Sequence, residues 1–240
     1  MEPYEDRPRD RIAEQIECYI IEHGLKEGDS LPSERQLCES WNCNRMTFRS
    51  AAKRLINAGV LAKNPLVNYY IPPSKLNRNL QDLTSLTEFV RGLGLNLTNR
   101  LLDQTIIKAT PKLAAQFFLE KGSPILRIIR LRLIEGDPVS IDTSYVSCEK
   151  FPNIDQYEFE KLSLYAILEN EYGVVMDHGQ EEINLTFANE DESELLGIEA
   201  GASLFYLKGT TFDNNNEVIE VFKSVARSDK IRFVSELSKQ

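Results

Sequence analysis

Across 240 residues no apolar run approaches the roughly 18 that a membrane-crossing helix needs, so a bilayer-spanning protein is excluded. The opening MEPYEDRPRDR has no apolar centre, and a secretory signal is therefore not expected. Cysteine and histidine are scarce. Cys18, Cys38, Cys43 and Cys148 form no CxxC pair, and with two histidines neither a zinc site nor any other metal or cofactor is expected. Reduced, half-buried thiols in a cytoplasmic protein fit this usage better. No internal repeat or low-complexity tract is present. Positive charge is also short: 28 basic against 37 acidic residues leave −9, which at first sight argues against nucleic acid as a partner.

The deficit is not evenly spread. Residues 1–78 hold 12 basic and 11 acidic groups, while 79–240 hold 16 and 26. From position 40 to 81 there are Arg45, Arg49, Lys53, Arg54, Lys63, Lys75 and Arg78 and no carboxylate at all. A chain this acidic with such a stretch is electrically two-part. A solvated basic face and a nucleic-acid contact are both compatible with charge alone.

Within the first part, Ile12, Ile16, Tyr19, Ile20 and His23 recur at helical spacing over 8–23, and Gly24 supplies a stop. Ser33 and Gln36 stand where a capping box opens a short second helix. Asn42-Cys43-Asn44 then gives turn chemistry, with Asn44 as cap of a third helix over 45–58 that ends at Gly59. On that helix Phe48, Ala51, Ala52 and Leu55 fall within an arc of about 100°, and Arg45, Arg49 and Lys53 occupy another. One face can pack while the other presents cations, the arrangement of a helix-turn-helix reader. Arginine suits such a face because its planar fork bonds both acceptors of guanine or grips a phosphate. Arg54 and Lys63 are expected at phosphates or in water.

LPSERQL (31–37), NRMTFR (44–49) and RLINAGVL (54–61) resemble the winged-helix domain of GntR-type bacterial transcription factors. The resemblance implies DNA contacts by Arg35, Arg45, Thr47 and Arg49, with Arg45 foremost as base reader, while Ser33 and Asn44 cap helices and offer amides to phosphates. Asn44 stands where that family usually has serine. The family's wing turns on glycines, whereas KNPLVNYYIP (63–72) has none and must turn on Asn64-Pro65 and Asn68.

Pro72-Pro73-Ser74 and the polar residues after it read as a linker, giving a DNA-binding domain over 1–73, a linker over 74–84 and a second domain over 85–240. In the second domain, 84–92 and 111–121 read as helices, 125–135 and 139–147 as a hairpin about Gly136-Asp137-Pro138, and 164–172 as a helix capped by Ser163 and stopped by Gly173. Further strands are expected over 181–187, 203–212 and 217–226. The pattern is α+β with a mainly antiparallel sheet.

Charges on strand faces mark a candidate site. Period-two alternation lines Leu126, Ile128, Arg130, Arg132 and Ile134 along one face, makes Ser140, Asp142 and Ser144 a polar face, and sets Glu220 between Val218 and Phe222. Buried charges are costly unless paired, so these groups either neutralise one another or await a ligand. Twin arginines near the helix start at Ser163 suit an anion.

RLRLIEGDPVSIDTSYV (130–146), SLYAILENEYGV (163–174), ELLGIEAGASLFYL (194–207) and EVIEVFKSVARSDKIRF (217–233) resemble the UTRA ligand-sensing domain of HutC-type GntR regulators. The resemblance implies a chorismate-lyase-like α+β fold that binds a small effector, often phosphorylated in sugar-sensing relatives. It places Arg130, Arg132, Ser163 and Tyr165 at the acidic group, and Asp142 and Glu220 at hydroxyls or an amine. Ala226 stands where the family often has tyrosine, and Arg227 with Asp229 matches a structural pair. The implied function is a homodimeric, operator-binding regulator, a repressor whose double-stranded DNA binding answers to a small anionic effector such as a sugar phosphate. Two alternatives stay open: a lyase-like enzyme acting on a carboxylated substrate with Glu220 as acid, and a DNA-binding regulator whose pocket is vestigial. No nucleophile–base pair, metal set or glycine-rich phosphate loop is legible for the first.

Overall fold

The computed structural model describes residues 7–63, 69–72, 75–81 and 83–235, and the chain divides into two compact units, Met1–Leu76 and Asn77–Gln240. The first contains α1 (Pro8–Glu22), α2 (Glu34–Ser40) and α3 (Arg45–Asn57), then the short antiparallel strands β1 (Ala62–Lys63) and β2 (Tyr69–Tyr70). Ser33 and Gln36 close the capping box: the Gln36 amide donates to Ser33 Oγ at 3.3 Å and the Ser33 amide to Gln36 Oε1 at 3.0 Å. The Thr47 amide donates to Asn44 Oδ1 at 2.8 Å, which starts α3 where the sequence places it. The four apolar residues of α3 are buried, together with Ile12 and Ile16 of α1, Leu31, Leu37, Leu61 and Tyr69. Phe48 meets Tyr69 edge-on at 5.6 Å, so its loss would remove the centre of this core at about 3–5 kcal/mol. The turn residues Asn64, Pro65 and Asn68, and Pro73 and Ser74 of the linker, lie outside the described residues.

The second unit is α+β. Its six-stranded sheet runs in the order β4 (Leu97–Lys108), β5 (Pro124–Ile134), β6 (Asp137–Ser147), β9 (Val218–Arg227), β8 (Ser203–Asp213), β7 (Met176–Phe187), with every neighbour antiparallel. One face packs on α6 (Leu164–Tyr172) through Leu126, Ile128, Val146 and Ile219. The other packs on α5 (Pro111–Phe117) through Ile125, Val218 and Val221, and on α7 (Glu190–Leu196) through Leu131 and Leu204. A separate ribbon pairs β3 (Leu76–Asn79) with β10 (Ile231–Val234), and α4 (Leu86–Gly92) precedes β4.

Four local expectations are corrected. The helix expected over 111–121 stops at Phe117, because Phe118 adopts a left-handed φ of 54° and the chain turns. The strand expected from 181 begins at Met176. The span 74–84, expected as linker, contains β3, held by β10. Glu220 does not share a face with Val218: the β8–β9 register shifts at Thr211/Phe212, so Val218 turns to α5 while Ile219 joins the α6 side.

Candidate functional site

The first unit offers a cationic helix face. Arg45, Arg49 and Lys53 are all exposed on α3, and among the described residues Arg45 and Lys53 make no ion pair. Arg49 Nε lies 3.0 Å from Glu34 Oε2, and that hydrogen bond holds the guanidinium above its usual range. Arg35 pairs with Glu39 at 2.8 Å, and Arg54, expected at phosphates or in water, pairs with Asp10. Lys63 sits over the Tyr69 ring at 5.5 Å. Ser33 and Asn44 spend their side chains on caps. Among the described residues the unpaired cations of α3 are therefore Arg45 at its first turn and Lys53 two turns further along.

The second unit contains an open cavity of about 780 Å³. Strand register assembles it: Arg130 stands opposite Asp142, Arg132 opposite Ser140, Asp142 opposite Ser224, and Glu220 opposite Thr211. A polar row thus crosses the sheet beyond the aliphatic patch under α6. Ser163 and Tyr165 close one side from the start of α6, where the Ala166 amide donates to Ser163 Oγ at 3.4 Å. Arg78 of β3 and Ser85 and Thr87 at the start of α4 close another. Phe222 lies across Gly209, where any Cβ would collide with its ring and with the Gln180 carbonyl, so glycine keeps this wall in place.

All six residues expected at the effector line this one cavity. Arg130 and Arg132 are 5% and 4% exposed and Glu220 5%, yet the balance among them is incomplete. Arg132 Nη2 donates to Thr87 Oγ1 at 3.0 Å, and its Nε lies 3.8 Å from Asp142 Oδ2. Among the described residues the Nε atoms of both arginines and Ser140 Oγ have no hydrogen-bond partner. Asp142 accepts from Ser224 Oγ at 2.6 Å. Tyr165 donates its hydroxyl to Glu220 Oε2 at 2.8 Å and shares a 3.0 Å hydrogen bond with Thr211.

Burial dominates the electrostatics. It lowers Arg130, and it lowers Arg132 to about 10 with Arg130 adding repulsion. Burial raises Glu220 and, helped by Glu220, raises Tyr165 well above the ordinary phenol range, so that hydroxyl stays a donor. A multiply charged oxyanion would supply the acceptors that the guanidinium nitrogens lack, while Asp142, Glu220 and Thr211 can meet hydroxyls or an amine. Arg227 pairs with Asp229 at 2.6 Å and donates to the Pro138 carbonyl at 3.1 Å, bracing β9 against β6, and Ala226 is buried in the cavity wall.

Sequence reasoning missed Arg78, Thr87, Thr211 and Ser224. The first two stand in spans read as linker and as ordinary helix. Thr211 and Ser224 needed the cross-strand register, although alternation on β9 already places Ser224 in line with Glu220. Among the described residues no cluster of three or more His, Cys, Asp or Glu could hold a metal ion, and no helix is long and apolar enough to cross a membrane.

Comparison with known proteins bears on both units. Residues 8–67 match the family described as bacterial regulatory proteins, gntR family, and residues 92–232 match the UTRA domain. The HTH-type transcriptional repressor NagR of Bacillus subtilis (strain 168) is 32% identical over 224 residues, covering 93% of this chain and 92% of NagR. The probable fructoselysine utilization operon transcriptional repressor of Escherichia coli (strain K12) is 22% identical over 212 residues, 88% of this chain and 87% of its own. The crystal structure of PhnF from Mycobacterium smegmatis has the same fold, with a TM-score of 0.69 at 23% identity over 95% of this chain and 100% of that one.

Proposed function

The chain belongs to the gntR family of bacterial regulatory proteins, with a UTRA domain as its second unit, and we propose that it is a cytoplasmic, homodimeric repressor released from its operator by a phosphorylated sugar. It is a DNA-binding transcriptional regulator with a ligand domain, and not the lyase-like enzyme that its residues left open. The relative named for a fructoselysine utilization operon supports a sugar-related effector.

In this reading Arg45 reads bases, while Arg35, Thr47, Arg49 and Lys53 position the helix on phosphates, and the amides capped by Ser33 and Asn44 add donors. A two-fold dimer reads two half-sites at fixed spacing. Arg130, Arg132, Ser163 and Tyr165 take the phosphate, and Asp142 and Glu220 take sugar hydroxyls or an amine. The observation that carries the effector class is the pair of buried arginines whose Nε atoms have no acceptor among the described residues, in an open cavity. A vestigial pocket would have closed its own charge pairs; here, among the described residues, Arg132 is the one of the two cavity arginines with a carboxylate within 4 Å, at 3.8 Å. The effector must bind the DNA-free form more tightly than the operator-bound form, or it could not release DNA.

Thermal shift separates the possibilities. Hexose and hexosamine 6-phosphates are expected to stabilise the protein, by about 2.7 kcal/mol at a hundredfold excess over Kd, and the free sugars far less. Equal response to both, or to neither, would overturn the effector reading. Gel shifts on the DNA upstream of its own gene test the other half: binding without sequence preference would remove the operator reader.

A further inference from the structure

The turn between α2 and α3 holds two of the four cysteines, and the function proposed above uses neither. α2 ends at Ser40 with Trp41 as cap; Asn42 then takes a left-handed φ of 49°, and the Cys43 amide donates back to the Cys38 carbonyl at 3.1 Å. That six-to-one hydrogen bond is the signature of a Schellman stop, which brings together the side chains of the third residue from the helix end and the second beyond the cap. In this chain those two residues are Cys38 and Cys43. The 3.1 Å main-chain hydrogen bond holds the two residues at one turn, and a disulfide between them needs Cα atoms roughly 4.4–6.8 Å apart. Cys38 is buried in the core of the first unit, and Cys43 is half-buried against that core. The thiols feel each other: burial, and after it the Cys43 thiol, push Cys38 up to about 11.

We propose that Cys38 and Cys43 form an oxidisable dithiol site, closed to an intramolecular disulfide by exchange with an oxidised low-molecular-weight thiol. Exposure sets the order of events. The Cys43 thiolate attacks one sulfur of the small disulfide, a mixed disulfide forms, and the other sulfur leaves as a thiolate. Cys38 is too buried to react first but already lies beside Cys43. It gives its proton to solvent, attacks the Cys43 sulfur, and expels the second small thiolate. The protein loses two protons and two electrons, and one small disulfide takes them up to become two thiols.

The position gives the modification a consequence. Asn44, the cap of α3, follows Cys43 directly, and Trp41 lies 6.4 Å from Phe48 in the core. Drawing the sulfurs to bonding distance, about 2.05 Å, tightens the turn that orients the cationic helix on α2. Oxidation therefore weakens operator binding.

The full chain can be treated with oxidised glutathione, alkylated and digested with trypsin. Cleavage after Arg35 and Arg45 leaves both cysteines in one peptide, residues 36–45. That peptide is expected to be lighter than its reduced form by two hydrogens and to carry no glutathione, whereas the peptide with exposed Cys18 keeps one. In Cys38→Ser the glutathione stays on Cys43, and in Cys43→Ser the buried Cys38 stays unmodified. A wild-type peptide that is fully alkylated, or that retains glutathione, overturns the site. On upstream DNA the oxidised protein should bind about tenfold more weakly or worse, a normal size for such coupling, with recovery in dithiothreitol and no response in Cys43→Ser. Unchanged binding by fully oxidised protein overturns the consequence. The mass measurement needs no operator, so its outcome is independent of the function proposed above.

Discussion

Arg45 on α3 stands in solvent with no carboxylate partner among the described residues, while Arg130 on β5 is buried between strands with no acceptor for its Nε. Both are suited to an anion, under opposite conditions. Water solvates Arg45 in the free protein, so the folded first unit bears no penalty for holding it ready. Arg130 and Arg132 have lost most of that solvation, which is why burial lowers both. Asp142 and Glu220 return part of it across the cavity, and Thr87 offers Arg132 one acceptor. The exposed reader can therefore be altered with little effect on folding, whereas the buried sensor couples binding to stability.

The largest expected effect lies in the sensor. Arg130→Gln and Arg132→Gln should each weaken binding of a sugar phosphate by about 2–5 kcal/mol, the usual result of removing one partner of a desolvated charge pair. Calorimetric titration measures this, and operator affinity without effector should stay at the wild-type value. A loss confined to operator binding would break the contrast between the units. Next in size, Arg45→Ala should cost about 1–3 kcal/mol of specific operator affinity in gel shifts. Its melting temperature should hardly move, because surface substitutions without partners usually stay within about 0.5 kcal/mol.

The two units were also unequally legible from sequence. In the first, Ser33, Gln36 and Asn44 announce helix starts through local chemistry, and the apolar residues of α3 mark its inner face, so the reader could be placed residue by residue. The sensor depends on strand register. β4 has no clean period-two pattern of exposure, and its pairing slips between Leu101 and Asp103. Glu220 was identified with the wrong neighbour, since a bulge is invisible to period-two counting. Arg78 and Thr87 reach the cavity from elements outside the sheet, which no strand pattern can foresee. α7 did carry a local signal that passed unused: Asn189 and Glu192 form a capping box.

A smaller effect sharpens the buried side through pH. Burial raises Glu220 above the ordinary carboxylate range, so the folded chain holds this proton more tightly than the unfolded one. Its contribution to stability is complete below the unfolded value, about 4.3, and is lost as pH rises through the folded value. Asp103 and Asp137 run the other way: hydrogen bonds from Arg127 and Lys230 lower them, so their contribution is complete above the unfolded value and is lost as pH falls through the folded ones. Glu220→Gln removes only the first effect. Relative to wild type, it should gain stability as pH rises from the unfolded value through the raised folded one, by about 1 kcal/mol, a common size for one substitution. Thermal melts across that range provide the check, and a difference independent of pH would put Glu220 in the same solvated class as Arg45.

The smallest expected effect distinguishes two arginines within the reader itself. Arg49 is as exposed a candidate as Arg45, but it already has a carboxylate partner: Glu34 must release it before it can grip a phosphate. Glu34 also sits in the first turn of α2, where a negative charge favours the helix. Glu34→Gln therefore separates binding from stability in sign. Freeing Arg49 and removing a charge that repels DNA should tighten operator binding by about 0.3–1 kcal/mol, the scale of an exposed pair. Losing the charge at the helix start should lower stability by a few tenths of a kcal/mol, the small end of the helix-dipole effect. The gain should disappear in Glu34→Gln/Arg49→Ala and persist in Glu34→Gln/Arg45→Ala. If it persists in both, it comes from removing negative charge near DNA and owes nothing to Arg49, and Arg45 alone carries the difference between exposed and buried guanidinium.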